Sequence, residues 1–186
     1  MKTYHTLVLL AALLCSTMAF GQTEKGSLYL GGGSNLSMGI TNPQNQSWKY
    51  FNIAPSAEYF ILKNFSIGTD LPYSFSVSRP DGQKHSFHTF GLSPYVKYYF
   101  GESAFKPFIG VKYEFESQFS KSQINGELYK NTSSTSILNF GGGFAYFIND
   151  KFAVNFDVGY GIFQPFNGSS FNNSLRSKAG FMIRLK

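Results

Sequence analysis

Apolar and polar residues alternate with a period of two along most of the chain that follows the first twenty or so positions. In one stretch Phe65, Ile67 and Leu71 share one face, while Ser66 and Asp70 share the other. Such alternation is typical of β-strands with one apolar and one polar face. The pattern predicts eight strands, at Ser27–Met38, Tyr50–Phe60, Phe65–Val77, Phe87–Phe100, Phe105–Phe119, Ser136–Phe147, Phe152–Phe163 and Ser174–Leu185.

The connections between these strands alternate strictly between short and long. Short turns are predicted at Ile61–Asn64, Gly101–Ala104 and Ile148–Lys151. Longer polar connections are predicted at Thr41–Lys49, Ser78–Ser86, Ser120–Thr135 and Gln164–Asn173. Each strand has roughly the 9–11 residues that a tilted strand needs to cross a bilayer, and tight turns at one end with long loops at the other are typical of membrane barrels. We therefore predict an all-β fold, an eight-stranded antiparallel up-and-down transmembrane β-barrel.

The polar face of the predicted strands carries charges of both signs. In a membrane barrel the apolar face contacts lipid and the polar face lines the lumen. Mixed charges can pair there, and a small barrel fills its interior with side chains. The residues expected to form this lumen network are Glu58, Asp70, Lys97, Lys112, Glu114, Glu116, Asp157, Arg176, Lys178 and Arg184.

A soluble β-sandwich or a lipocalin-like barrel would show the same alternation, with its apolar face turned inward. Aromatic residues favour the membrane, because Tyr59-Phe60, Tyr99-Phe100 and Tyr146-Phe147 each precede a short turn and a further Phe follows it. Aromatic girdles lie where a barrel wall meets the bilayer interface. Charged residues make up only 14% of the chain, which is low for a water-soluble domain.

The N-terminus is typical of an export signal. Lys2 precedes an apolar run at Leu7–Leu14, and Ala19-Phe20-Gly21 precede Gln22. The apolar run is too short to cross a bilayer as a helix. We expect a cleaved signal peptide at residues 1–21 and one outer-membrane β-barrel domain at residues 22–186. Cleavage would remove Cys15, the one cysteine of the chain, so the exported domain would have no disulfide.

Charge and motifs exclude several classes of protein. The formal net charge is +6, but the basic residues are scattered, which argues against a nucleic-acid partner. Gly31-Gly32-Gly33 and Gly141-Gly142-Gly143 are not followed by the Lys-Ser/Thr pair of a phosphate-binding loop. No motif for a metal or a hydrolase nucleophile occurs, so we expect no cofactor and no metal.

Several segments resemble the small outer-membrane β-barrel family of the OmpA/OmpX type. Phe105–Tyr113 and Phe152–Tyr160 resemble strands that recur in that family. The C-terminal end resembles its barrel-assembly signal, with Lys178, Gly180, Ile183 and Leu185 at the polar, glycine and two apolar positions. Two departures are Leu185 in place of an aromatic residue and Lys186 after it. The end of the signal segment and the style of barrel resemble proteins of Bacteroidetes-type bacteria.

The resemblance implies a monomeric protein of the bacterial outer membrane, with outer-membrane lipid and the barrel-assembly machinery as partners. It implies a structural or surface-interaction role, without catalysis. The outer loops carry the aromatic residues Trp48, Tyr129, Phe166 and Phe171, which could hold a surface ligand or simply belong to a hydrophilic cap.

Two other functions stay open at this stage. Some small outer-membrane barrels are lipid A deacylases or acyltransferases, and His85 or His88 with Ser86 would be the residues of such a site. A catalytic triad would also need a carboxylate, for which Glu114 or Glu116 is nearest along the sequence. The charged lumen could alternatively form a narrow channel, although side chains alone can fill an eight-stranded barrel.

Overall fold

A computed structural model describes residues 21–33, 37–41, 47–79, 83–124, 127–165 and 172–186. These residues form eleven strand segments: β1 (Leu28–Gly33), β2 (Ser37–Thr41), β3 (Ser47–Ile53), β4 (Pro55–Leu62), β5 (Phe65–Asp70), β6 (Tyr73–Arg79), β7 (Lys84–Tyr99), β8 (Phe105–Ile124), β9 (Glu127–Phe147), β10 (Phe152–Pro165) and β11 (Asn172–Arg184). No helix in these ranges is long and apolar enough to cross a membrane.

The strands form one closed antiparallel sheet. The order runs β2-β3-β6-β7-β5-β4-β1-β11-β10-β9-β8, and a further pairing of β7 with β8 joins the two branches. The first and last strands meet where Leu30 pairs with Ile183. Eight segments close into a ring, namely β1, β4, β5, β7, β8, β9, β10 and β11. Each of these eight has a neighbour on both sides, so the paired backbone groups of the ring are satisfied without water. The sheet continues from the outer part of β7 through β6 and β3 to β2, which among the described strands pairs with β3 alone. The predicted up-and-down barrel is therefore confirmed.

The eleven segments correspond to the eight predicted strands, three of which are each split in two. β1 and β2 form the first strand, β3 and β4 the second, and β5 and β6 the third. Two of the splits follow from prolines, since Pro55 begins β4 and Pro72 lies between β5 and β6. The break between β1 and β2 falls at 34–36, outside the described residues. Proline cannot donate a ladder hydrogen bond, so it is tolerated at strand ends.

Two of the predicted long loops are wrong. The segment Ser120–Thr135 is a β-hairpin in which β8 and β9 stay paired as far as Ile124 and Glu127. The segment Ser78–Ser86 is shorter as a connection, because β6 ends at Arg79 and β7 begins at Lys84. The centres of the other two predicted loops, at 42–46 and 166–171, lie outside the described residues.

The faces of the wall are those that the alternation predicts. On β8, Ile109, Val111 and Tyr113 are exposed on the outside, whereas Phe108 and Glu114 are buried. The outward residues of β8 are apolar from Phe105 to Phe115, about the length of a membrane-crossing strand.

The best-packed part of the lumen lies at the end that carries the short turns, called here the short-turn end. Inward side chains from six strands form an aromatic floor there, comprising Tyr29, Phe60, Tyr99, Phe108, Phe147 and Met182. The aromatic rings meet edge to face or tilted, as Tyr29 does with Phe60 at a centroid distance of 5.8 Å and with Phe147 at 6.0 Å. Residues Gln22 and Thr23 are buried beneath this floor.

The aromatic pairs beside the turns therefore divide between two environments. Tyr59 and Phe100 are exposed on the outer wall, as a girdle requires, but their neighbours Phe60 and Tyr99 point inward and are fully buried. Adjacent residues in a strand face opposite sides, so one member of each pair contributes to the girdle and the other to the floor.

Candidate functional site in the lumen

The central group of the lumen is the carboxylate of Glu58 on β4, which is 2% exposed. Its Oε1 accepts hydrogen bonds from Ser66 Oγ at 2.6 Å and from Tyr99 OH at 2.7 Å, and its Oε2 accepts one from Tyr95 OH at 3.1 Å. A buried carboxylate costs several kcal/mol unless it is paired and hydrogen-bonded. The three hydroxyls supply the hydrogen bonds that this burial requires.

Lys97 on β7 provides the opposite charge. Its Nζ lies 3.5 Å from Glu58 Oε2 and 3.7 Å from Asp157 Oδ1. The same ammonium lies 4.7 Å from the ring centre of Tyr95 and 4.6 Å from that of Phe108. Asp157 also accepts a hydrogen bond of 2.9 Å from Asn155 Nδ2. Lys97 therefore joins the charges to the aromatic floor.

A second charged group lies further from the floor. Asp70 Oδ2 is 2.8 Å from Lys178 Nζ and 3.6 Å from Lys112 Nζ. Lys112 Nζ is also 2.9 Å from Glu114 Oε1, and Arg176 Nη1 is 2.7 Å from Glu114 Oε2. The Lys178–Asp70 pair crosses the lumen from β11 to β5. Gly33 permits it, because a Cβ at Gly33 would lie 2.0 Å from Lys178 Cε.

The two remaining charges of the predicted network lie apart from these pairs. In the part of the chain that the structure describes, Glu116 has no ion pair. Arg184 lies at the short-turn end, where its Nε donates to the carbonyl of Lys186 at 2.9 Å. The structure therefore brings together eight of the ten predicted residues, namely Glu58, Asp70, Lys97, Lys112, Glu114, Asp157, Arg176 and Lys178. This group is called here the lumen ion network.

The lumen ion network is neutral overall, with four acidic and four basic members. It surrounds a cavity of about 150 Å³ lined also by Asn139, Asn155 and several glycines. This volume is enough for about five water molecules at the density of the liquid. The arrangement can hold a small hydrated cluster between charges, and the aromatic floor closes it on one side.

The histidines are not placed as in a catalytic triad. His88 points outward, where its ring lies 4.7 Å from the ring of Phe75 and its Nδ1 is 3.3 Å from Tyr73 OH. His85 is on the opposite face, with Nδ1 2.9 Å from Ser122 Oγ. Ser86 Oγ donates to the carbonyl of Lys121.

The predicted carboxylate partners lie far along the wall from His85 and on the opposite face of the wall from His88. Glu116 is paired across the sheet with Gly91, which is six residues along β7 from His85. Six residues of strand span about 20 Å. Nothing in this geometry favours acyl transfer. Among the described residues there is also no cluster of three or more His, Cys, Asp or Glu suited to a metal ion.

The long-loop end is dominated by the β8–β9 hairpin. Tyr129 is exposed there and donates to Glu127 Oε2 at 2.6 Å. The side chain of Trp48 and both Phe166 and Phe171 lie outside the described part. β9 pairs with β10 only as far as Thr135 opposite Pro165, whereas it pairs with β8 as far as Glu127.

The opposite end carries an exposed ion pair between turns. Lys63 Nζ lies 2.8 Å from Glu102 Oε1. This hydrogen-bonded pair raises the pKa of Lys63 and lowers the pKa of Glu102. Both groups are in water, where such pairs contribute little to stability.

Sequence reasoning missed the neutral partners of Glu58. Ser66, Tyr95 and Tyr99 share the inward phase of their strands with the charged residues, and this parity was the available signal. Their convergence on one carboxylate depends on how neighbouring strands are paired, with Gly68 opposite Tyr95 and Glu58 opposite Gly68.

Comparison with a family model identifies the class of protein to which the chain belongs. The chain matches the model of the outer membrane protein β-barrel domain over residues 7–179. Among curated proteins, none matches. Three similar solved structures are the N-terminal β-barrel domain of Pseudomonas aeruginosa OprF (13% identity, TM-score 0.46, 87% of this chain and 98% of that one), Neisserial surface protein A (18%, 0.46, 84% and 95%) and the outer membrane protein OprG from Pseudomonas aeruginosa (12%, 0.43, 88% and 96%). Because the family model covers most of its length, the chain belongs to the outer membrane protein β-barrel family.

Proposed function

We propose that this outer-membrane barrel is a non-enzymatic protein with a closed lumen, and that its long-loop end interacts with an extracellular partner. The observation that carries the proposal is the outer edge of β9, which is unpaired within the described residues. Between Glu127 and Ser134 this strand is paired with β8 on one side, and no described strand pairs with its other side.

A free strand edge can bind another chain. It presents a row of unpaired N–H and C=O groups, which an extended peptide can match by adding a strand to the sheet. Residues 127–133 are exposed. Leu128 and Tyr129 point to opposite faces of the sheet, so an added strand would have one apolar and one aromatic neighbour. The partner that fits this edge is an extended polypeptide segment.

The closed lumen supports a structural or binding role over transport. Its ion network is neutral, its cavity of about 150 Å³ is small, and the aromatic floor lies between the cavity and the short-turn end. A permeating solute would have to displace both the lumen ion network and the aromatic floor. Planar-bilayer recording of the purified protein should therefore show no stable open state, and steady conductance would contradict the closed lumen.

A shortened hairpin tests the binding role. Ser120 is paired with Asn131, so residues 121–130 can be replaced by an Asn-Gly turn without disturbing the pairs below. Peptides that bind the wild-type protein in nanodiscs would be selected from a library of random extended peptides. Their binding to the shortened variant would then be measured. We expect the enriched peptides to lose binding. Enrichment that is equal on both proteins, or none on the wild type, would contradict the proposal.

The exported location also belongs to this proposal. We infer that residues 1–21 are a signal peptide cleaved on export, which leaves the barrel domain at 22–186. Mass measurement of the protein purified from outer membranes tests it. A mass that includes residues 1–21 would contradict cleavage.

A further inference from the structure

Charge is segregated between the two faces of the wall. In the described strands, every acidic residue lies on the lumen face of the sheet: Glu58, Asp70, Glu114, Glu116, Glu127 and Asp157. On the outward face of the same strands every charged residue is basic. The outward set consists of Lys49, Arg79, Lys84, Lys121 and Lys130, called here the basic belt.

The basic belt occupies two adjacent rows across five neighbouring strands. Lys49 is paired with Val77, Val77 with Ser86, Ser86 with Lys121, and Lys121 with Lys130. Arg79 and Lys84 lie two residues further out on β6 and β7. At about 4.8 Å between strands the belt extends over about 19 Å.

An aromatic row lies directly beneath the belt, on its membrane side. Phe51 is paired with Phe75, Phe75 with His88, and His88 with Phe119. Phe90, two residues from His88 along β7 on the side away from the belt, contacts Phe119 with ring centres 6.3 Å apart. Aromatic side chains in such a row are typical of the level at which acyl chains end and headgroups begin.

The belt is not neutralised within the described protein. All five side chains are exposed, and none has a carboxylate within ion-pair distance in the described part of the chain. Lys121 and Lys130 are opposite one another, so their Cβ atoms lie about 5 Å apart, and like charges in such a pair are destabilising. An anion bound between the two ammonium groups would offset this repulsion.

We propose that the basic belt binds the anionic headgroup of a phosphorylated glycolipid of the lipid A type in the outer leaflet. Its acyl chains would lie against Phe51, Phe75 and Phe119. Lys49, Lys121 and Lys130, in the row next to the aromatic residues, would contact phosphates at the bilayer edge. Arg79 and Lys84, two residues further out, would contact acidic groups of the sugar core above it. The inference rests on the barrel crossing the outer membrane with its long-loop end outward.

A charge-reversal experiment tests the belt. The full barrel in detergent would be titrated with bisphosphorylated lipid A that carries acidic core sugars, and retained lipid would be counted by native mass spectrometry. The variant is Lys49→Glu, Arg79→Glu and Lys84→Glu combined. The matched control is Lys25→Glu, Lys151→Glu and Lys186→Glu, an equal charge change on exposed lysines at the short-turn end. Each basic residue near an anionic lipid surface contributes about fivefold, so the belt variant should lose at least about tenfold in affinity and the control should lose little.

A single substitution separates binding from folding. Lys121→Glu replaces a repulsive cross-strand pair by an attractive one with Lys130, so the fold should be as stable as the wild type or more so. Its retention of the glycolipid should nevertheless fall. Unchanged retention in both belt variants, equal losses in the control, or equal retention of zwitterionic phosphatidylethanolamine would overturn the proposal. Differential gel migration before and after boiling would show whether each variant has folded, and so distinguish loss of binding from loss of the barrel.

Discussion

Glu58 shows most clearly how single residues hold the lumen together, because one carboxylate accepts hydrogen bonds from three hydroxyls and faces Lys97. Among the described residues, changing Glu58→Gln would leave Lys97 with Asp157 as its remaining ion-pair partner, at 3.7 Å. We expect the free energy of unfolding to fall by about 3 kcal/mol, since removal of one partner leaves a buried charge poorly compensated.

A double-mutant cycle measures the pair itself. Glu58→Gln combined with Lys97→Met removes both charges, so part of the lost stability should return. Urea unfolding in detergent, followed by intrinsic fluorescence, gives the four free energies. Additive losses in the double variant would show that Glu58 and Lys97 do not interact in the folded barrel.

The outward residues give a second test at this scale. Ile67 and Val154 lie on the lipid-facing side of β5 and β10, where an arginine costs about 2–4 kcal/mol near the middle of the bilayer. Ile67→Arg and Val154→Arg should therefore impair assembly. Thr132→Arg, exposed on the extension of β9, should be neutral and serves as the control. Folded fraction on unboiled gels reports the result; a loss at Thr132 equal to that at Ile67 would mean that the membrane boundary is misplaced.

Single residues also mark the limit of what the sequence predicts. Alternation places Phe60 and Tyr99 on the face opposite to their neighbours Tyr59 and Phe100. It does not predict that an aromatic residue of each pair points inward, because the interior of a barrel is expected to be polar. The aromatic floor arises because inward positions near the short turns are apolar on several strands at once. Only the pairing of strands shows that these positions meet.

At the scale of elements, the strands were predictable and the outer connections were not. Alternation is a signal where one face contacts lipid, and it located all eight strands. Along residues 120–135 both faces of the hairpin are mostly exposed and polar, so the period of two disappears although the backbone remains paired. The sequence of this polar stretch therefore predicts a loop where the structure has a hairpin.

The last strand, β11, completes the barrel and can be tested by truncation. Ile183 pairs with Leu30 on one side and with Phe152 on the other, and Leu185 N donates to the carbonyl of Leu28 at 2.8 Å. Removing residues 183–186 would leave backbone groups of β1 and β10 unpaired in the membrane, so outer-membrane assembly should be lost.

Removing Lys186 alone is the control. Its carbonyl accepts from Leu28 N at 3.1 Å, but the residue lies at the wet end of the barrel, where the new terminal carboxylate can accept instead. Fractionation of membranes and protease treatment of the outer hairpins would compare the two truncations. Normal assembly of the longer one would show that β11 does not complete the barrel.

At the scale of the whole molecule, three features depend on one another: the closed ring, the apolar outer wall and the paired lumen charges. Closure satisfies the backbone within lipid, while the inward phase collects the eight members of the lumen ion network. The closed ring and the two faces followed from the sequence, because strand length, alternation and turn spacing are properties of each strand. The sequence does not show which charges form pairs. Lys178 pairs with Asp70, for example, because the curvature of the sheet brings β11 opposite β5.

The most direct measurement of this arrangement is the pattern of lipid contact along β8. Single tryptophans at residues 109, 111, 112, 113 and 114, in a chain with Trp48→Phe, would be measured by fluorescence after refolding into vesicles whose brominated acyl chains quench tryptophan. Tryptophans at 109, 111 and 113 should be quenched, because Ile109, Val111 and Tyr113 are exposed on the outer wall. Tryptophans at 112 and 114 should be protected, since these positions line the lumen. Uniform quenching, or the opposite phase, would contradict a barrel with its charged face inside.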